Sequence, residues 1–175
     1  LNHEHIFRFP FDPYNGLQLD DIQSGLSALA DPFLHNVTLK QLITYLGLIY
    51  LTDGHSLLQG DFYPGSWLDT EHGLKVIDPE FSFLGIPEFD LGVMMAHMFL
   101  ASQPTAVIST IWQNYEAPPA FELRLMSGFA GVEILRRLIG IAQLPLSLSL
   151  EQKQDLMQLA KEFIENGALK EWLGD

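Results

Sequence analysis

LLQGDFYPGSWLDTEHGLKVIDPEFSF, residues Leu57 to Phe83, holds two acidic clusters joined by a turn. Asp61 follows Gly60 after a brief apolar run, and Asp78 and Glu80 close a second run, Leu74-Lys75-Val76-Ile77. Between them, Asp69-Thr70-Glu71-His72-Gly73 is rich in turn formers. The stretch is expected to fold as a loop, a β-hairpin and a second loop. A hairpin returns its ends to one place, so Asp61 and the Asp78/Glu80 pair are expected at a common site.

Taken singly, Gly-Asp and Asp-Pro are ordinary turn dipeptides. Together and in order they read differently. Gln59-Gly60-Asp61-Phe62-Tyr63-Pro64-Gly65-Ser66 followed by Asp78-Pro79-Glu80-Phe81 resembles the H-G-D-x-x-x-G-S and D-P-E-F motifs of the kinase-like small-molecule phosphotransferases, the group of aminoglycoside and choline kinases. Within that group the stretch is most similar to the methylthioribose kinases. One departure stands out: Gln59 occupies the position of the family's histidine. That histidine braces the catalytic loop, and Gln, which both donates and accepts, is able to do the same.

The resemblance implies ATP and Mg²⁺ as cofactors, and elementary chemistry gives each residue a reason. Phosphoryl transfer needs a positioned hydroxyl, a carboxylate to orient it, and metal held against the nucleotide phosphates. Asp61 is expected to orient the acceptor hydroxyl and take its proton. Asp78 is expected to hold Mg²⁺, an ion that prefers hard oxygen ligands. Ser66 stands where protein kinases place a metal-binding Asn and is expected to serve the nucleotide-metal end as a weaker neutral ligand. Glu80 is expected to supply a further oxygen. In an extended segment, residues two apart share a face, so Asp78 and Glu80 are expected to point the same way.

The second mark of the resemblance lies far along the chain. Gly131-Val132-Glu133-Ile134-Leu135-Arg136-Arg137-Leu138-Ile139-Gly140-Ile141-Ala142 closely resembles the paired-arginine segment R-R-x-I-G-I-A of the methylthioribose kinases. There the arginines belong to the substrate site, so Arg136 and Arg137 are expected to bind substrate. Guanidinium groups suit sugar hydroxyls and phosphate oxygens. Adjacent helical residues diverge by about 100°, so the two are not expected to serve one ligand equally. The plainer account pairs each with a core acid such as Glu133.

The chain has 175 residues and 47% apolar content, enough for one domain with a substantial core. Its net charge of −13 excludes general binding to nucleic acid or anionic membranes, both of which need basic surface. Cysteine is absent, which removes any disulfide framework and fits a cytoplasmic protein. There is no signal peptide and no apolar run of about 20 residues to span a bilayer.

Outward from the acidic stretch the chain reads as helices. Leu1 to Pro13 is expected to be extended, with Phe7, Phe9 and Phe11 alternating and His3 and His5 without a metal role. Helices are expected over Asp20 to Ala30, ended by Pro32, and over Leu39 to Thr52, capped by Thr38 with Leu42, Tyr45, Leu46 and Ile49 on one stripe. Ser82 to Pro87 is expected as a loop, followed by a helix from Glu88 to Ser102. Asp90 in its first turn is expected to brace the catalytic loop; His97 is expected to be core or partner-facing. Further helices are expected over Thr105 to Tyr115, Ala120 to Ala142 and Ser149 to Leu173, the last with a Ser149/Gln152 capping box and a break at Asn166-Gly167.

The fold class expected is therefore α+β and mainly helical: the C-terminal, large lobe of a protein-kinase-like fold, with a small β-hairpin bearing the catalytic and metal loops. The resemblance covers only that lobe. The glycine-rich strand-turn-strand and phosphate lysine of a complete kinase have no counterpart, and the first residue is Leu. An N-terminal lobe of the same enzyme is thus the expected partner, beside a small-molecule substrate, and the isolated lobe is expected to be inactive or nearly so; a homodimer stays open. The acceptor implied is a sugar such as 5-methylthioribose, with a 1-phosphate product in methionine salvage. An aminoglycoside, choline-like or homoserine acceptor, and a non-catalytic pseudo-kinase module, stand as alternatives.

Overall fold

The computed structural model of the chain describes residues 2–174. Helix dominates, at 61% of the residues, and the strands are few and short. The entry segment is wound, not extended as expected. Glu4–Arg8 forms a wide helical turn whose last carbonyl bond runs from Phe9 N–H to Glu4 O, and Phe9–Phe11 tightens into a 3₁₀ turn. The phenylalanine spacing fits both readings, since Phe7 and Phe11 are two apart twice over and also one helical turn apart. Tertiary contact decides: Phe7 is buried against Tyr50 and Phe129, with ring centroids 5.2 and 6.2 Å away.

Helices α1 (Leu19–Ile22) and α2 (Leu26–Leu34) replace the single helix expected there. The break falls at Gly25, in the left-handed region, and Pro32 lies inside α2 instead of ending it. Asp20 caps α2 across the break: its Oδ1 accepts the N–H groups of Gly25 and Ser27, each at 3.0 Å. Helix α3 (Val37–Tyr50) starts two residues before the expected boundary because Asn36, not Thr38, is the cap, accepting Leu39 N–H at 2.9 Å. Its buried stripe runs through Leu39, Ile43 and Leu46, while Tyr45 is exposed.

Two antiparallel pairs follow. Strand β2 (Trp67–Leu68) pairs with β3 (Lys75–Val76), in register Trp67↔Val76 and Leu68↔Lys75, which is the expected hairpin. Strand β1 (Ser56–Leu58) pairs with β4 (Phe83–Gly85), with Leu57 opposite Leu84. The second pair was not expected, as Ser82 to Pro87 read as a loop. It is long-range, and nothing local marks it. It encloses the hairpin and ties the two acidic loops together at their bases.

Helices α4 (Pro87–Leu100), α5 (Thr105–Gln113), α6 (Leu123–Ile139) and α7 (Leu150–Asn166) complete the body. Helix α6 is the axis of the core: every residue from Met126 to Ile139 is buried. It lies between α4 and α7 and packs along both. Gly131 makes the second contact close, since a Cβ there would meet Ala160 O at 2.4 Å. Helix α7 begins with the expected capping box of Ser149 and Gln152 and ends at Gly167, which is left-handed. Among the described residues no helix is long and apolar enough to cross a membrane.

Candidate active site

The loop from Gln59 to Ser66 is suspended from α4. Asp90, in that helix's first turn, accepts Gln59 N–H through Oδ2 at 2.6 Å and Gly60 N–H through Oδ1 at 3.0 Å. This is the bracing role expected of Asp90. Burial pushes its carboxyl above the usual range and the nearby charge of Asp61 adds to that, although the two backbone bonds pull the other way. Gly60 has φ +86°, and a Cβ on it would meet Phe81 O at 2.3 Å. Glycine is therefore required where the Asp61 loop touches the DPEF loop. The two loops touch at this point, between Gly60 and Phe81.

Gln59 fastens the same junction. Its Nε2 donates to Ile77 O at 3.2 Å and Asp78 O at 2.9 Å, and its Oε1 accepts Asp61 N–H at 2.7 Å. The residue standing in place of histidine thus braces both loops at once. Ser66 is buried, and its hydroxyl donates to Asp61 O at 3.0 Å, closing the catalytic loop upon itself.

Arg136 and Arg137, in the last turn of α6, both reach Asp61. Arg136 Nη2 donates to Asp61 Oδ1 at 3.1 Å, and Arg137 Nη2 donates to the same oxygen at 2.6 Å. The divergence expected of adjacent helical residues does not hold at the guanidinium ends. Their long side chains swing back together because both are also held by one acid: Glu133 accepts from Nε of Arg136 and from Nε of Arg137, the latter at 2.7 Å. The pairing with Glu133 and the meeting at the catalytic loop are therefore both present. No protein donor reaches Asp61 Oδ2 among the described residues.

Glu133 is almost wholly buried. Burial alone would push its carboxyl up, but Arg136, the His97 hydrogen bond and Arg137 outweigh it and hold the group well below the usual carboxylate range. For Arg137, burial pulls the other way and is likewise outweighed by Glu133 and Asp61, so its pKa is raised. His97 Nε2 lies 3.0 Å from Glu133 Oε1. Tyr63 joins the cluster from the catalytic loop: Arg137 lies over its ring at 5.2 Å and the His97 ring is 4.7 Å away. Sequence reading left His97 in the core and gave Tyr63 no role. The signal for Glu133 was available, because it precedes the arginines by three and four positions, the spacing at which helical side chains meet.

A cavity of about 380 Å³ opens beside Asp61, bounded by Gly60, Phe81, Arg136, Arg137 and His5. Phe81 separates it from a neighbouring cavity of about 370 Å³ that Glu80 and Tyr50 help to line. Asp78 is exposed and left-handed, at φ 54°, ψ 61°, and Pro79–Phe81 is a 3₁₀ turn. The extended geometry expected to align Asp78 with Glu80 is absent, because the proline and the positive φ bend the chain between them. Asp78 and Glu80 are both exposed. Among the described residues no group of three or more His, Cys, Asp or Glu could hold a metal unaided. Asp78 and Glu80 each offer carboxylate oxygens, the hard ligand type that Mg²⁺ prefers.

A helical lobe that carries an aspartate loop and an acidic loop at the two ends of one hairpin, hung from an aspartate in the next helix, fits the C-terminal lobe of the kinase-like fold. The relatives agree. The chain is 32% identical to the methylthioribose kinase of Exiguobacterium sibiricum over 82% of this chain and 44% of that protein. It is 30% identical to the methylthioribose kinase of Bacillus velezensis over 89% of this chain and 48% of that protein, and 31% identical to that of Geobacillus thermodenitrificans over 67% of this chain and 38% of that protein. No family model matches the chain. The chain is methylthioribose kinase-like, and it spans about half the length of the curated relatives it matches.

Proposed function

We propose that the chain is the catalytic lobe of an ATP-dependent kinase that phosphorylates a sugar hydroxyl, with 5-methylthioribose as acceptor and its 1-phosphate as product in methionine salvage. The observation that carries this is Asp61: one carboxylate oxygen is fixed by two guanidinium groups, the other has no protein donor among the described residues, and a cavity opens beside it. The acceptor hydroxyl donates to Oδ2. Its oxygen attacks the γ-phosphorus, the bond to the β–γ bridging oxygen breaks, ADP leaves, and the hydroxyl proton passes to Asp61. Because Arg136 and Arg137 hold Oδ1, the carboxylate cannot turn away from the hydroxyl.

Arg136 and Arg137 also line the acceptor cavity. Their guanidinium N–H groups suit the hydroxyl oxygens of a sugar acceptor. Asp78 and Glu80 would hold Mg²⁺, which supplies charge neutralisation at the transferred phosphoryl group. Ser66, whose hydroxyl is already bonded to Asp61 O, is assigned to loop bracing ahead of nucleotide contact. We place the glycine-rich strands and the phosphate lysine in the part of the enzyme that pairs with this lobe, and the whole in the cytoplasm.

The test is a coupled ADP-release assay on the full-length enzyme across sugar, aminoglycoside and amino-alcohol acceptors, with D61A as control. Turnover dependent on 5-methylthioribose and abolished in D61A is the expected result. Mg²⁺-ATP binding without turnover of any acceptor would overturn the sugar kinase reading.

A further inference from the structure

We propose that Glu133 is the positioning residue of this site: it grips Arg136 and Arg137 by their inner edges so that both present Nη2 to Asp61. This rests on the phosphotransferase reading for its purpose, but not for its geometry.

The hydrogen bonds divide by atom. Each arginine gives its Nε to Glu133 and its Nη2 to Asp61 Oδ1. Arg136 Nη2 is shared, with Glu133 Oε1 at 3.1 Å as well. Each guanidinium therefore bridges a buried carboxylate and a partly buried one. Glu133 is itself fixed from α4 by His97 Nε2 at 3.0 Å, so the cluster is referred to two helices. Serving an ionised Glu133 assigns the ring proton to Nε2. Arg137 is further located by Ala142 O, 3.3 Å from its Nη1, and by the Tyr63 ring beneath it. Asp61 alone could not do this work. It sits on a loop, and a single oxygen sets the direction of neither plane. A buried acid with two oxygens on the arginines' own helix does.

A buried charged cluster is poor evidence of stability in itself, because apolar side chains of the same volume often stabilise as well or better. Its geometry here instead fixes the bearing of two donors at the reacting end of the site, as a preorganised site requires.

The test uses the 175-residue chain and needs no turnover. Four arginines are present, so each Nε–H resonance is assignable from single Arg→Lys variants. Hydrogen exchange of the Arg136 and Arg137 Nε–H groups is then followed by NMR in wild type, E133D and D61N, with backbone amides of α4 and α6 as the fold control. E133D keeps the charge and withdraws the carboxylate by one methylene. It should speed Nε–H exchange by about tenfold or more while the backbone amides stay protected, and D61N should leave both Nε–H groups protected. Unchanged exchange in E133D, or loosening in D61N as large as in E133D, would overturn the proposal. Should E133D lose amide protection, the D61N comparison decides alone. In full-length enzyme E133D should also lower kcat by about tenfold to a hundredfold with KM for ATP unchanged. Loosened arginines in E133D beside a wild-type enzyme that turns over no acceptor would refute the phosphotransferase reading and leave the clamp standing.

Discussion

Asp90 Oδ2 accepts the backbone N–H of Gln59 at 2.6 Å across 31 positions of sequence. The bond makes α4 the anchor of the loop that carries Asp61, and a second bond to Gly60 N–H makes the anchor two-pronged. D90A would leave two part-buried N–H groups unpaired, each at a cost of about 1–3 kcal/mol. Urea unfolding should show a loss of about 2–5 kcal/mol, with D90N at the lower end since its single carbonyl oxygen still accepts. A loss below about 0.5 kcal/mol in D90A would mean the loop is held by other contacts.

Gln59 poses a sharper question, because it stands where the motif carries histidine. Its amide donates to two carbonyls of the acidic loop and accepts from Asp61 N–H. A histidine ring offers one donor and one acceptor when neutral, so it could replace the acceptor and one donor. Q59H should stay within about 1 kcal/mol of wild type and retain turnover, whereas Q59A should lose about 1.5–4 kcal/mol from three missing bonds. Equal melting temperatures for Q59A and wild type would remove the bracing role from Gln59.

Asp61 should separate chemistry from folding. Its arginine partners remain tied to Glu133 when it is changed, so D61N should fold with little change in melting temperature. Turnover of the full-length enzyme should fall by about 10²–10⁴ if Asp61 takes the acceptor proton. A D61N enzyme with more than about a tenth of wild-type kcat would assign the proton elsewhere.

Much of this site was legible because its parts are local. The hairpin between Trp67 and Val76 follows from a turn-rich pentapeptide between apolar runs, and the Ser149 cap follows from its box with Gln152. The pairing of Ser56–Leu58 with Phe83–Gly85 was not legible, since each strand is three residues long and its partner lies beyond the hairpin. The entry segment misled for a related reason. Its aromatic spacing suits a strand or a helix, and the choice is made by Tyr50 and Phe129, which no local pattern reveals. At the site, motif spacing singled out Asp61, Asp78, Glu80 and the arginine pair as candidates. It could not show that the arginines converge, because convergence depends on where their long side chains reach, not on the helical angle between Cα atoms.

The buried cluster should also shape the acid stability of the protein. Glu133 is held below its ordinary pKa of 4.5 in the folded state. A depressed carboxylate gives stability that is present above the unfolded value and lost as pH falls through it and beyond. Asp90 acts in the opposite sense. Burial raises it above 3.8, so the folded state takes up its proton first and gains relative stability as pH falls towards that value. The two effects offset each other down to about pH 3.8 and only the loss from Glu133 continues below it. Melting temperature should therefore fall more steeply below that point. E133Q should start less stable by about 3–5 kcal/mol but show a flatter acid limb. D90N, lacking the offset, should begin its decline nearer pH 4.5, where Glu133 starts to bind its proton in the unfolded chain. Circular dichroism melts between neutral pH and about pH 3 follow both limbs. An E133Q profile parallel to wild type across the acid range would show that Glu133 is not held ionised by the arginine pair.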